Sequence, residues 1–400
     1  MSNAFRSTPI AAALLALAAS PLAGAQVVLE EVIVTAQKRA ESLQDVPISV
    51  SAIQGSKIQD AGIPNMAALA DYVPNLFISD APVSTNIYMR GMGSSNNQAF
   101  EQSVGMYIDG IYMGRGRQYR APFMDIERVE VLRGPQGTLF GRNTVAGAIS
   151  ILTANPGLDE NLNGRLDVSA ETNDGYIGEG MVSGAVNDSL ALRLAGRYRD
   201  TQGYVDNQFL NDDEPELEEW NYRFTLVWQP SDDLDVNFKY GQSNLDRTGV
   251  ASGVTIYADQ ATRDAVFPNR DAFADIAYAL TDSFYPQISD VVNEDFTILK
   301  DNNLGPSGGA QGVAVGQYEE SSDQDTDNGV LTINYALDDY DITAISGYSS
   351  YDYVDGCDCD WLPLQFIGRD DDQQFDQWSQ EIRIASDGGN FFDFIAGAYY

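Results

Sequence analysis

Strict alternation of apolar and polar residues constrains this sequence more than any other feature. Between residues 189 and 199, leucines hold alternate positions on one face, while Arg193, Arg197 and Arg199 lie on the other. A repeat of two residues is typical of a strand and not of a helix. The pattern predicts about nine strands, at residues 162–171, 175–186, 189–199, 220–228, 234–240, 328–337, 340–351, 376–386 and 391–400.

A soluble β-sandwich and a membrane-spanning β-barrel both contain such strands. No run of about 18 apolar residues occurs, so a membrane-spanning helix is not predicted. Strands of about ten residues, aromatic residues at their ends, and short turns that alternate with long loops favour the barrel. An arginine facing lipid at mid-membrane would cost about 2–4 kcal/mol, so we predict that Arg193 and Arg197 face the lumen. Because bacterial barrels close with even strand numbers and the sequence stops inside a strand, we expect it to be part of a longer protein.

The charge of the chain excludes several classes of function. It has 23 basic and 59 acidic residues and no histidine, for a formal net charge of −36. Nucleic-acid binding needs a basic face, which this balance argues against. Catalytic triads and metal sites that use imidazole are impossible without histidine. We therefore predict no enzyme activity, no cofactor, no metal site and no nucleic-acid partner.

The N-terminus indicates export. Residues 1–25 contain Arg6, an apolar core over 10–19 and the small residues Ala23-Gly24-Ala25, which together are typical of a signal peptide. A charge difference then divides the mature chain, with a net charge of −2 over 26–155 and −35 over 156–400. We predict a tail over 26–40, a first domain over 41–155, and the strand-rich region over 156–400.

Motifs in the tail and in the first domain have a recognisable pattern. Residues 31–36 read Glu-Val-Ile-Val-Thr-Ala, and residues 89–91 read Met-Arg-Gly. Residues 107–112 read Tyr-Ile-Asp-Gly-Ile-Tyr. The longest motif, IERVEVLRGPQGTLFGRN, occupies 126–143 and is followed by AGAISI at 146–151. Together they resemble the TonB box and plug motifs of TonB-dependent outer-membrane receptors, with Met89 in place of the isoleucine of the family's Ile-Arg-Gly motif.

The resemblance implies a fold and a location. We expect an α+β plug domain inside a transmembrane antiparallel β-barrel, which in this family has 22 strands, of which about nine are present here. The protein is expected in the Gram-negative outer membrane, in contact with lipid and lipopolysaccharide. It is expected to import an external small-molecule ligand, driven by TonB and its inner-membrane energising complex.

The resemblance also identifies the segment that TonB would bind. A short β-prone segment without glycine or proline can add as a strand to another protein's exposed sheet edge. An ordinary first strand of a domain is the alternative, and the charged residues 38–41 are predicted to form a solvated linker. The predicted TonB-binding residues are Glu31, Val32, Ile33, Val34, Thr35 and Ala36.

Two arginines are implied to hold the plug in place. In the family, the arginines of the Ile-Arg-Gly and Leu-Arg-Gly motifs are thought to pair with glutamates of the barrel wall. Here these arginines are Arg90 and Arg133, and Glu381 is the candidate partner, with a second partner expected beyond residue 400. Isolated internal ion pairs with no part in transport are the alternative.

A second set of residues is predicted to contact ligand on the outer side of the plug. Three arginines within six residues form a positive spot in an acidic protein, suited to carboxylate-bearing ligands. Pairing with acidic residues of the wall is the equal alternative. The predicted ligand-contact residues are Ser94, Ser95, Asn96, Asn97, Gln98, Arg115, Arg117 and Arg120.

Smaller features complete the expectations. The glycines at 134, 137, 141 and 147 do not match a phosphate-binding loop and are predicted to serve turns and close packing. Acidic loops over 206–219 and 352–376 would bind cations or only keep the loops solvated.

Cys357 and Cys359 are predicted to form a small disulfide in an outer loop. The alternatives are a metal site with neighbouring aspartates, free thiols or other pairings.

The cargo is not determined by the sequence. Ferric siderophore complexes are the commonest cargo of the family, with vitamin B12, haem and glycans as alternatives. A ligand-sensing signal transducer is the second functional class, and a passive pore or adhesin is the third.

Overall fold

The computed structural model describes residues 32–35, 37–80, 85–94, 101–120, 123–172, 174–203, 205–207, 212–249, 321–358, 368–386 and 392–400. The predicted signal peptide lies outside these residues. No helix among them is long and apolar enough to cross a membrane.

The first part of the chain folds into short strands and helices. In chain order these are β1 (Ile33–Val34), β2 (Glu41–Ser42), β3 (Ser49–Gln54), α1 (Gly55–Asp60), α2 (Met66–Ala70), β4 (Leu76–Asp80), β5 (Thr85–Met89), β6 (Met92–Gly93), β7 (Val104–Ile108), β8 (Ile111–Met113), a 3₁₀ turn (Gly116–Arg120), β9 (Ile126–Arg133), α3 (Gly137–Phe140) and β10 (Gly147–Thr153). We call residues 41–155 the plug and residues 32–40 the tail.

A mixed five-stranded sheet forms the centre of the plug, in the order β3-β9-β10-β7-β8. The pairing of β10 with β7 is parallel, and the other pairings are antiparallel. Nearly every residue of β10 is buried, because the plug packs on both faces of this central strand. The loop from β9 to α3 turns at Gly134, whose φ of 99° favours glycine, as predicted for this motif.

The remainder of the chain forms one antiparallel sheet, which we call the wall sheet. Its nine strands within the described residues are β11 (Asn163–Ala170), β12 (Tyr176–Asn187), β13 (Leu190–Thr201), β16 (Glu216–Ser231), β17 (Leu234–Thr248), β18 (Ser321–Ala336), β19 (Tyr340–Asp358), β20 (Gly368–Ser386) and β21 (Ile395–Tyr399). Between β13 and β16, the short strands β14 (Val205–Asn207) and β15 (Asp212–Glu214) form a separate hairpin.

The two faces of the wall sheet differ as the alternation predicts. Leu194 is 56% exposed and Trp378 71% exposed on the outer face, whereas Arg197 and Lys239 are only 6% and 7% exposed on the inner face. The plug packs against this inner face. The prediction that Arg193 and Arg197 point inward is therefore confirmed.

The strands extend further than the sequence predicts. Polar residues 321–327, 352–358 and 368–375 belong to β18, β19 and β20, although residues 352–376 are predicted to form an acidic loop. The ladders continue through them because backbone hydrogen bonds do not depend on apolar side chains when both neighbouring strands are long. The predicted acidic loop over 352–376 is therefore wrong for most of its length.

Connections at the two ends of the wall sheet differ in length. Residues 188–189, 232–233 and 337–339 make tight turns at one end, which we call the short-turn end. At the other, long-loop end, β13 is joined to β16 and β17 to β18 by much longer connections.

The plug and the wall sheet approach closely at one glycine. A Cβ at Gly347 of β19 would overlap the Ile111 side chain of β8. Glycine therefore lets the rim of the plug sheet pack against the wall backbone.

Candidate functional site

A buried charged cluster joins the plug to the wall sheet at β17. The Lys239 ammonium donates to Asp109 Oδ1 at 2.9 Å, to Thr153 O at 2.8 Å and to Thr153 Oγ1 at 2.9 Å. The Thr153 hydroxyl donates to Asp109 Oδ2 at 2.7 Å. All three ammonium hydrogens therefore have acceptors on the plug. Burial acts to raise the pKa of Asp109, but the charges of Lys239 and Arg223 outweigh it and hold the pKa below its usual value.

A second buried pair lies on β13. Arg193 Nε donates to Asp125 Oδ2 at 2.8 Å, and Arg193 Nη2 donates to the other carboxylate oxygen. This two-point geometry is the strongest form of arginine–carboxylate contact. Next to it, Arg223 Nη1 donates to the carbonyl oxygen of Met124 at 2.9 Å. The body of the plug is thus attached to β13, β16 and β17 by charged groups removed from water.

The tail folds back onto the plug. Ile33 and Val34 pair with Ser42 and Glu41 in a two-residue antiparallel ladder. Val34 is fully buried in a small apolar cluster with Tyr107, Leu132 and neighbouring residues. The predicted TonB-binding residues 32–35 are therefore docked on the plug, which corrects the expectation of a segment outside the domain; Glu31 and Ala36 lie outside the described residues.

Glu130 is the main polar contact of the tail. Its carboxylate is fully buried in β9, and its Oε1 accepts the Thr35 backbone N–H at 2.9 Å and the Arg128 Nε–H at 2.8 Å. The Thr35 hydroxyl also donates to Oε1, at 3.3 Å. One buried carboxylate therefore connects the tail to the central sheet of the plug.

Lys38 makes a three-way junction between the tail, the plug and the wall sheet. Its Nζ lies 3.4 Å from Glu381 Oε2 on β20, 5.1 Å from the Phe140 ring centroid and 5.8 Å from the Tyr107 ring centroid. Burial lowers the pKa of Lys38, and the Glu381 charge partly offsets this effect. The prediction that residues 38–41 form a solvated linker is wrong at Lys38.

The predicted pairing of Arg90 and Arg133 with Glu381 is also wrong. Glu381 pairs instead with Lys38 and, at 2.7 Å, with Arg383 of its own strand. Arg133 donates to Pro74 O at 3.2 Å and to Ser51 Oγ at 3.0 Å, both within the plug. Arg90 is exposed and makes no ion pair with a carboxylate in the part of the chain that the structure describes.

The three predicted ligand-contact arginines have different surroundings. Arg117 is 2% exposed, donates to Asp371 Oδ2 at 2.7 Å and stacks 3.3 Å from the Tyr353 ring centroid, so it follows the alternative of pairing with the wall. Arg115 lies 5.4 Å from the Phe375 ring centroid. Arg120 lines a cavity at the long-loop end.

The other candidate residues are only partly described. Ser94 Oγ accepts the Ser103 N–H at 2.8 Å, while residues 95–98 lie outside the described residues. Cys357 belongs to β19, opposite Arg369, and Cys359 lies outside the described residues, so the predicted disulfide stays a prediction. No group of three or more acidic or cysteine side chains that could hold a metal ion occurs within the described ranges.

Sequence reasoning missed Asp109, Asp125, Glu130, Arg223 and Lys239. The signal for the two basic residues was present, because both fall on the inward positions of alternating strands. Asp109 and Glu130 lie within the motifs that resemble the family, and Asp125 directly precedes one of them. Nothing in their spacing indicates which residue each carboxylate contacts.

Comparison with known proteins identifies the first domain. Residues 42–148 match the family described as TonB-dependent Receptor Plug Domain. The pesticin receptor of Yersinia pestis is 29% identical over 161 residues, which are 40% of this chain and 23% of that receptor. The vitamin B12 transporter BtuB of Vibrio vulnificus is 28% identical over 182 residues, which are 44% of this chain and 28% of that transporter.

A solved structure supports the whole fold. The ferric yersiniabactin uptake receptor FyuA from Yersinia pestis superposes with a TM-score of 0.65 and 20% identity, over 88% of this chain and 48% of that one. This chain thus spans about half of the FyuA structure, and its wall sheet resembles part of a receptor barrel. Residues 42–148 therefore belong to the TonB-dependent receptor plug-domain family, and the arrangement of plug and wall sheet is similar to that of the FyuA receptor.

Proposed function

We propose that this protein imports an external ligand across the outer membrane, driven by TonB acting on residues 31–36. The observation that carries the proposal is the docking of the tail. Residues 32–35 are attached to the plug by a two-residue ladder and by Thr35, and a buried carboxylate receives both hydrogen bonds of Thr35. A pull on the tail would therefore be delivered to β9, in the central sheet of the plug.

The tail is also suited to capture by another protein. Within the described residues, β1 pairs with β2 alone, so its other edge is not occupied by a strand of this sheet. Strand addition along such an edge supplies main-chain hydrogen bonds. The Ile33 side chain is 43% exposed, so a protein that adds a strand to this edge can recognise it.

We infer that the cargo is a ferric siderophore complex. The ferric yersiniabactin uptake receptor has the same fold over most of this chain. Vitamin B12, which the Vibrio relative is named for, is the first alternative cargo, with haem and glycans after it. A signal-transducing receptor is the alternative function; it would need ligand binding to change gene expression without net uptake.

Deletion of residues 31–36 tests the coupling. We expect energy-dependent uptake of radiolabelled cargo to fall to background, because the handle is lost. Ligand binding and membrane insertion are expected to persist, since the ion pairs of Asp109 and Asp125 with the wall do not involve the tail.

A matched control replaces residues 31–36 with a Gly-Ser segment of equal length. It preserves the reach of the tail but removes the side chains that form β1 and contact the plug. We expect the same loss of uptake as in the deletion. Normal transport by either variant would show that these residues do not couple the receptor to TonB.

A further inference from the structure

A cavity of about 550 Å³ lies between the plug and the wall sheet at the long-loop end. It is lined by the plug residues Pro64, Asn65 and Arg120 and by the ends of β11, β13, β16 and β17. Ligand sites commonly have volumes of about 300–1,000 Å³ and combine apolar walls with a few charged groups. We call it the arginine cavity, because Arg120, Arg197, Arg199 and Arg247 line it.

The charge of the lining is opposite to that of the protein. Four arginines and two glutamates, Glu171 and Glu219, line the cavity, whereas the whole chain has 23 basic and 59 acidic residues. The two glutamates pair with Arg197 and Arg199, which leaves the lining with a net charge of +2. A concave site with an excess of one charge focuses the electrostatic field and attracts ligands of the opposite charge. The arginine cavity is therefore a local positive site within a strongly acidic protein.

The ion pairs of the lining leave its guanidinium groups fixed in place. Arg197 Nη1 lies 2.6 Å from Glu219 Oε1, and both side chains are about 5% exposed or less. Arg199 Nη2 lies 3.2 Å from both carboxylate oxygens of Glu171. This second pair is less buried, with side chains 22% and 33% exposed. An arginine held in this way loses little conformational entropy when a ligand binds.

The sheet register spaces the arginines across the cavity. Arg199 of β13 is opposite Glu219 of β16, which is opposite Leu245 of β17. Arg247 is two residues beyond Leu245 on β17, so it is on the same inward face. Two strand spacings, about 10 Å, separate β13 from β17, and Arg247 is two residues further along the sheet, so the Cα atoms of Arg199 and Arg247 are about 12 Å apart. Leu217 and Glu219 of β16 lie between them, and Leu245 lies beside Arg247 on β17. This spacing suits a ligand with several carboxylates on an apolar frame.

We propose that the arginine cavity binds a carboxylate-bearing anionic chelate, which is the cargo of the import function proposed above. The proposal rests on that function because it names the chemistry of the cargo. Guanidinium groups match carboxylates in two-point geometry. Arg120 faces the cavity from the plug, and Arg199 and Arg247 face it from the wall, while Arg197 is buried against Glu219. A bound anion would therefore contact both parts of the receptor.

Direct binding to the complete receptor in outer-membrane vesicles tests the proposal. The probes are ferric citrate and ferric rhizoferrin, which carry carboxylates, against neutral ferrichrome and positively charged ferrioxamine B. Iron-free citrate separates recognition of the carboxylates from recognition of the whole chelate. We expect ferric citrate or ferric rhizoferrin to bind more tightly than ferrichrome and ferrioxamine B. The affinity for these carboxylate chelates should fall as the salt concentration rises.

The variants are Arg247→Gln and the double variant Arg199→Gln with Glu171→Gln, which removes an ion pair without leaving an unpaired charge. Each is expected to weaken binding of the carboxylate chelate by roughly tenfold to a hundredfold, the range for a hydrogen bond to a charged group. Arg383→Gln is the matched control. Arg383 lies on β20, pairs with Glu381 and does not line the cavity, so binding by this variant should equal that of the unmodified receptor.

Binding confined to ferrichrome or ferrioxamine B would overturn the proposal. So would unchanged affinity for the carboxylate chelates in both cavity variants, or no binding of these chelates at all. The import function is tested separately, because binding does not need TonB. If the 31–36 deletion transported normally while the cavity variants lost binding, the coupling would fail and the cavity assignment would stand.

Discussion

The body of the plug and the tail before it both contact the wall sheet, but through contacts of different kinds. The plug body uses Asp109 and Asp125, whose side chains and those of their wall partners are at most 10% exposed. The tail uses Lys38 and Glu381, at 12% and 16%, together with one hydrogen bond from Arg39 to Phe394 O. The Asp109 and Asp125 contacts of the plug body each join several pairs of atoms, whereas the Lys38–Glu381 and Arg39–Phe394 contacts of the tail each join one pair.

This difference indicates which part moves first under a pull. Breaking the two-point Asp125–Arg193 pair or the Lys239 contacts leaves buried charges without partners and costs several kcal/mol. The Lys38–Glu381 contact is a single one at 3.4 Å, and Glu381 keeps Arg383 when it breaks. The tail can therefore leave the wall while the plug body stays attached. The contact of the tail with Glu130 is intermediate in strength. Glu130 is fully buried, but the tail that it binds has few other polar contacts.

The largest expected effect is at the plug body. Asp125→Ala leaves Arg193 buried without its carboxylate and should lower the free energy of unfolding by about 3–5 kcal/mol. Urea denaturation of the detergent-solubilised receptor measures it, with hydrogen exchange of β9 as the local readout. The double variant Asp125→Ala with Arg193→Met should recover most of the loss. If the single and double variants were equally unstable, the comparison between plug body and tail would lose its main support.

An intermediate effect is expected at Glu130. Glu130→Gln removes the charge that accepts the Thr35 and Arg128 donors, and should weaken tail docking by roughly 1–3 kcal/mol. A spin label on a cysteine at the exposed Ile33 position would show a larger mobile fraction. Glu127→Gln is the matched control, because Glu127 also pairs with Arg128 but is 40% exposed and does not touch the tail. Equal mobility in the two variants would contradict a docking role for Glu130.

The smallest effect is expected at Lys38. Lys38→Met keeps the contact with the Phe140 and Tyr107 rings, and Glu381 retains Arg383. The change in unfolding free energy should be within about 1 kcal/mol. Hydrogen exchange of residues 32–40 should rise without a change in β9. A destabilisation as large as that of Asp125→Ala would show that the tail and the plug body are held equally firmly.

The alternation in the sequence was sufficient to predict the wall sheet and the direction of its side chains. Its physical basis is local, because neighbouring residues of a strand must point to opposite faces and only one face contacts the plug. Motif residues 126–143 likewise indicated the plug and the turn at Gly134. The strand ends were missed because polar residues carry no periodic signal, although their backbone pairs as well as any other.

The partners of the charged residues were decided only by the tertiary structure. The sequence shows that Arg193 and Lys239 face inward, but the plug residue that each one meets depends on how the plug sits within the wall. For the same reason Glu381 receives Lys38 instead of Arg90 or Arg133, and Arg117 and Arg120 reach different surroundings although they are three residues apart. Periodicity is a property of adjacent residues, whereas an ion pair joins residues that are distant in sequence and meet only in the folded chain.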